Sequence, residues 1–241
     1  MKKKLLLVAI LCMSIVVGIP LVSYGKQKEE KSEQWGKVLE TIYESESQNS
    51  EKGKYKLALE GQYADCAEDL ENIYEAGDDI LITDAEVQQA QEYYQIAGDT
   101  EKEAEQKAID YVEEQNALYV EAVKNGFDVT DEEVKAYIEE LKESIENSEN
   151  KDEVMGVINA FDSEEAYWEY EFEVYKKLLP IQKYVKSLEK EYIDKHMDES
   201  KNQDVLESWD KEFEKVKEEL VEEQNYERVK NDKDIGKEFV N

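Results

Sequence analysis

Three times in this chain a threonine is followed, three residues later, by a glutamate at the head of an apolar-patterned run: Thr83-Asp84-Ala85-Glu86, Thr100-Glu101-Lys102-Glu103 and Thr130-Asp131-Glu132-Glu133. Each is a capping box, in which the threonine hydroxyl and the glutamate carboxylate satisfy N–H groups that a helix start leaves free. The boxes fix three starting points and predict helices over 84–97, 101–125 and 131–147. Gly126, after Asn125, supplies a left-handed stop for the middle one. The inward stripes read Val87, Ala90, Tyr94 and Ala97; then Ala104, Ala108, Tyr111, Leu118 and Ala122; then Val134, Tyr137, Ile138, Leu141 and Ile145. Each has the width used to pack one helix on another. Two prolines and ten glycines leave few places for hairpins, so the pattern is that of an all-α chain.

The same spacing continues on both sides. A short helix at 152–160 presents Val154, Val157 and Ile158, with Phe161 at the turn, and Ser163 caps a longer one bearing Tyr167, Trp168, Phe172, Tyr175, Leu178 and Leu179. Pro180 predicts a kink or break, since proline removes a helix hydrogen bond and crowds the preceding turn. Val185, Leu188 and Tyr192 carry the pattern on. After a polar break at 198–203, Leu206, Trp209, Phe213, Val216 and Leu220 mark a last helix. Upstream, 26–34 reads as a polar tether. Trp35, Val38, Leu39 and Ile42 mark a short helix, 45–54 a serine-rich loop, and Tyr55 to Ile73 a longer helix that stops at Gly77, together a helical hairpin. The stretch 79–82 is the one plausible strand.

Lys2, Lys3 and Lys4 precede an almost unbroken apolar run from Leu5 to Val22. That is the form of an export signal, with the lysines held on the cytoplasmic side. Ser23 and Gly25 offer a small-x-small site for cleavage after Gly25, while the run approaches the length of a single membrane anchor; the segment is consistent with either. Lipid attachment at Cys12 is disfavoured by Leu11 before it. The expected address is extracytoplasmic, secreted or tethered, with membrane contact only through 1–25. With 61 acidic against 30 basic side chains and a net charge of −31, no basic surface for nucleic acid is visible. Cys66 is the only cysteine past the signal and fits the apolar face of its helix as a packed thiol.

The string Ile82-Thr83-Asp84-Ala85-Glu86, then Ala97-Gly98-Asp99, Gly126-Phe127-Asp128-Val129-Thr130-Asp131-Glu132-Glu133-Val134 and Ala166-Tyr167-Trp168 resembles the N-terminal chaperone region of the SurA/PrsA-type extracytoplasmic foldases. The likeness covers roughly half the chain and carries no catalytic signature. It implies a multi-helix chaperone domain over 79–195, preceded by the signal or anchor at 1–25 and the tether and hairpin at 26–78. A linker and a returning C-terminal helix occupy 196–241. In that family the stretch before the returning helix houses parvulin-type prolyl isomerase domains, rich in glycine and bearing paired histidines. Here it is a short polar linker, so the domain is lacking.

Other chemistry finds no footing. His196 is the only histidine, without a partner at metal-ligand spacing, and reads as an exposed loop residue. No phosphate loop, nucleophile elbow or calcium loop occurs, so no catalytic, metal or cofactor site is expected. What remains is an aromatic surface of sixteen tyrosines and three tryptophans. The candidate client-binding residues are Tyr94, Tyr111, Phe161, Tyr167, Trp168, Phe172, Tyr175, Trp209 and Phe213, lining a cleft between the helices of 84–147, 167–179 and 206–220. Against this stands the ordinary fate of aromatic stripes at helical spacing, which is core. The resemblance implies partners that are unfolded or newly exported polypeptides. The alternative is an envelope structural or adaptor protein, whose last helix pairs with a dedicated partner or with a second copy.

Overall fold

The computed structural model describes residues 26–49, 73–148, 150–196 and 202–229. Seven helices hold 80% of the described residues. They are α1 (Lys26–Asn49), α2 (Asp84–Ala97), α3 (Glu101–Lys124), α4 (Asp131–Glu146), α5 (Lys151–Ile158), α6 (Glu164–His196) and α7 (Asn202–Gln224). Three short strands accompany them: β1 (Ile73–Ala76), β2 (Leu81–Thr83) and β3 (Glu227–Arg228). The signal or anchor segment and the cysteines lie outside the described residues, as does the expected helix from Tyr55 up to residue 72. No helix among the described residues is long and apolar enough to cross a membrane.

All three capping boxes form. The Thr83, Thr100 and Thr130 hydroxyls accept from the amides of Glu86, Glu103 and Glu133 at 3.2, 3.4 and 3.2 Å, and the glutamate carboxylates accept from the threonine amides at 2.9, 3.1 and 3.0 Å. Gly126 has φ +79°, the left-handed stop expected after α3, and Gly98 ends α2 at φ +119°. Because local hydrogen bonds fix these ends, the helix starts fall on the residues that the sequence marks.

Elsewhere local pattern and tertiary context part company. The expected tether at 26–34 and the beginning of the serine-rich loop are both helical in α1. Ser32, Trp35, Leu39 and Ile42 form its buried face, and helices in proteins draw most of their stability from such a face, against a cost of only a few tenths of a kcal/mol per serine. Pro180 does not break α6, which runs unbroken from Glu164 to His196. Burial of Leu178, Leu179, Pro180 and Ile181 holds the helix through the missing N–H. Residues 73–76 are strand rather than a helix end. Ile73 and Tyr74 suit a pleated surface, and a short apolar run does not by itself distinguish the two.

The described residues form two compact units that interleave along the chain: those within 26–49, 88–111 and 128–179 make the first, and those within 73–87, 112–127 and 180–229 the second. In the first unit α1 lies so close to α5 that a Cβ on Gly36 would stand 2.5 Å from both the Ala160 Cβ and the Val157 carbonyl oxygen. Glycine is what permits that approach. The first unit's core holds Trp35, edge-on to Tyr93 at 5.1 Å, together with Val134, Ile138, Leu141, Ile145, Val154 and Ile158.

The second unit is built on the sheet, in the order β2-β1-β3. β1 pairs antiparallel with β2, Ala76 opposite Leu81, and with β3, Ala76 opposite Glu227. The Gln224 side chain ties the end of α7 to the β1–β2 turn: its Oε1 accepts from the Asp79 amide at 3.2 Å and its Nε2 donates to Asp79 Oδ2 at 3.3 Å. Asn225 takes φ +47° and donates to Asp78 at 2.8 Å. Tyr226 donates to the Glu113 carbonyl at 3.2 Å and lies so near Gly77 that a Cβ there would stand 2.7 Å from the ring. Lys217 reaches Glu114 at 2.9 Å and Glu214 at 3.0 Å. Its partial burial acts to lower its pKa, but the hydrogen bonds it donates to these carboxylates outweigh that and raise it.

Candidate functional site

The first half of α6 carries five aromatic rings in nine positions, and the structure sorts them. Tyr167, Tyr170 and Tyr175 are buried, whereas Trp168 and Phe172 are half-exposed. Four residues apart on a helix, these last two lie one above the other on one face. Lys142 of α4 stands 5.0 Å from the Trp168 ring centre. Lys176 and Lys135 stand 4.6 and 5.6 Å from that of Phe172. The lysine stems extend the apolar surface while their ammonium heads face the negative ring faces. Glu164 accepts from the Trp168 indole N–H at 3.1 Å and sets its orientation. Glu139 and Glu173 pair with Lys142 and Lys176 at 2.7 and 3.0 Å.

Beneath this strip lies an aromatic layer. Phe161 packs edge-on to Tyr167 at 5.3 Å and tilted on Tyr170 at 5.7 Å, and Tyr167 is edge-on to Trp168 at 4.9 Å. Tyr43 of α1 meets Tyr170 at 5.8 Å, and Gln89 Nε2 donates to the Tyr170 hydroxyl at 2.7 Å. Tyr137 of α4 packs on Tyr175 at 5.0 Å. Within the layer sits one carboxyl group, Glu171, only 4% exposed. Burial pushes it up to about 7, against the downward pull of a hydrogen bond from Tyr167.

Of the nine candidate residues, Tyr94, Phe161, Tyr167, Tyr175 and Trp209 are buried and belong to the packing. Tyr111, Trp168, Phe172 and Phe213 keep part of their surface. The three walls expected for a cleft do not gather into one unit, since 167–179 belongs to the first and 206–220 to the second. Trp209, at the centre of the last helix's stripe, stacks on Phe213 at 5.3 Å and meets Tyr192 at 5.6 Å. His196 is in the last turn of α6 rather than in a loop. Its ring stacks on Tyr192 at 4.1 Å, and its Nδ1 lies 2.7 Å from the Tyr192 carbonyl oxygen.

Glu40, Glu44 and Asp162 bring carboxylate oxygens within 4.8 Å of one another. The Asp162 amide already donates to Glu40. In a chain with 61 acidic residues such a meeting at the surface needs no ion to explain it. Sequence reasoning passed over Glu171 because glutamate is the commonplace exposed residue here. The available signal was its place between Tyr170 and Phe172, four residues after Tyr167.

The chain matches no family model, no curated protein and no solved structure.

Proposed function

We propose that this chain is an extracytoplasmic, chaperone-like polypeptide-binding protein, which holds apolar and aromatic segments of unfolded or newly exported chains on the Trp168–Phe172 strip and performs no catalysis itself. The observation that carries the reading is the sorting of rings on α6. Most of the aromatic residues there are spent on packing, yet two of the largest side chains remain half-exposed, side by side, on a chain of net charge −31. Aromatic rings of this kind anchor binding surfaces because they bury much area with few rotatable bonds. Adaptable lysine stems around them tolerate varied client sequences. The acidic surroundings keep a loaded complex soluble and favour clients that also carry basic residues.

The supports are the helix and turn pattern that resembles the SurA/PrsA chaperone region and the exported address suggested by the first 25 residues. The test is binding of the purified protein to an array of short peptides from secreted proteins. Binding to aromatic, basic peptides that falls at least about tenfold in a Trp168→Ala/Phe172→Ala variant is the expected result. Silence across the array, or binding indifferent to the double substitution, would overturn the reading.

A further inference from the structure

Glu171 is an unusual use of a glutamate. Its Oε2 is buried without a hydrogen-bond partner, and Tyr167, one turn earlier on α6, is the hydrogen-bonding side chain that addresses the carboxyl. Tyr167 is itself held between the rings of Phe161 and Trp168. A carboxyl in such a place is tolerable when neutral. Once ionised, it must either draw water into the layer or force the layer apart.

We infer that Glu171 is a proton switch for the aromatic layer that supports Trp168 and Phe172: protonated, it leaves the layer dry and closed; ionised, it loosens the Tyr167–Trp168 packing and makes the two half-exposed rings more available. The part concerning clients rests on the reading of the strip as a docking surface. The part concerning packing does not.

The surroundings agree in sign. Burial raises the Glu171 carboxyl to about 7, and burial followed by the Glu171 charge raises the Tyr167 phenol well above its ordinary range, so Tyr167 stays a donor throughout. On α6 itself, Tyr170 lies beside Glu171, and Glu169 and Glu173 act on Tyr43 of α1, whose phenol is raised first by burial and then by those two charges. From α2 comes the neutral amide of Gln89, and from α1 and the turn before α6 come Glu40 and Asp162, bonded to each other. Lys142 of α4 lies over Trp168 and pairs with Glu139. Among the described residues no cation neutralises Glu171, so proton uptake is its means of discharge.

The test follows urea stability and acrylamide quenching of the full-length protein from pH 5 to 9, taking the Trp168 contribution as the difference from Trp168→Phe. Wild type should lose stability as pH rises from 5 towards 7 and level off above it, while Trp168 quenching rises with a midpoint near pH 7. Glu171→Gln should abolish that transition, and Tyr167→Phe, which removes the hydrogen bond favouring the charged form, should move it to higher pH. A Glu171→Gln profile that coincides with wild type would overturn the inference. Should that variant fail to fold, the carboxyl of Glu171 is titrated directly by carbon NMR in the wild type, where a midpoint near 4.5 overturns the switch and one near 7 supports it. Peptide binding measured at pH 5 and 9 separates the two ideas: a layer that titrates with unchanged binding sustains the switch and sinks the docking role of the strip.

Discussion

The two units of this protein solve the same problem by different means. Both must order a chain in which acid outnumbers base two to one. The first does so by close packing: a glycine lets α1 sink onto α5, aromatic rings fill the space behind α6, and one carboxyl is taken inside. The second relies on addressed polar contacts: Gln224, Asn225 and Tyr226 each bond to a backbone or side-chain group far away in sequence, and Lys217 lies between two glutamates. Both units meet exposed acid with lysine partners, and each buries a glutamate: Glu171 among the aromatic rings of the first and Glu75 on β1 of the second. The lesson is that a strongly acidic composition does not dictate one style of core.

The sharpest way to test the difference is pH. The Glu171 carboxyl binds its proton more tightly folded, near 7, than its ordinary 4.5. Its stabilising contribution is therefore complete below pH 4.5 and lost as pH rises through 7. The difference amounts to about 3 kcal/mol. Above pH 7, Glu171→Gln should be more stable than wild type by up to that amount, and below pH 4.5 the two should match; urea midpoints across the range decide it. Asp79 in the second unit behaves in the opposite sense. Its bond to Lys124 is the main force holding it low, with Gln224 helping against burial, so its contribution is present above the ordinary 3.8 and is lost as the solution is acidified.

Breaking the first unit's packing comes next. Gly36→Ala pushes a methyl into Ala160 and the Val157 carbonyl and should cost about 2 to 3 kcal/mol, with amide exchange quickening first in α1 and α5. The corresponding blow to the second unit is Gln224→Ala, which leaves the Asp79 amide without its side-chain acceptor. A loss of about 2 kcal/mol is expected, with exchange quickening first at residues 77–80. The smallest effect is at a cap. Thr130→Ala removes the hydroxyl that accepts from Glu133 and should cost about 1 kcal/mol, read as fraying at the start of α4. If Gly36→Ala and Gln224→Ala produced the same exchange pattern, the contrast between the units would fail.

The sequence shows α2, α3 and α4 plainly, because their signals are local. A threonine and a glutamate three residues on mark each start, and Gly98 and Gly126 mark the ends of the first two. Of the sheet only β2 was legible, overlapping the strand expected at 79–82; β1 and β3 were not, for the opposite reason. The strands are four, three and two residues long, and β3 lies more than a hundred residues from the strand it pairs with. Gln224 finds Asp79 across 145 positions, a contact that no periodicity announces. At the candidate site, the stripe on α6 was readable, but its division into buried Tyr167 and Tyr175 and half-exposed Trp168 and Phe172 depended on what α1, α4 and the turn at Phe161 bring against it. Glu171 was hidden by its abundance as a residue type.

The placement of β3 also bears on the order in which the protein can be made. β1 is the middle strand, and its free edge is covered only when Glu227 and Arg228 arrive, with the Val229 amide donating to the Tyr74 carbonyl at 3.1 Å. Every residue of the first unit has been synthesised by Leu179. The second must wait until Val229 has left the ribosome, and if the chain is threaded through a membrane, until it has emerged on the far side. Until then the edge of β1 is open to any passing strand.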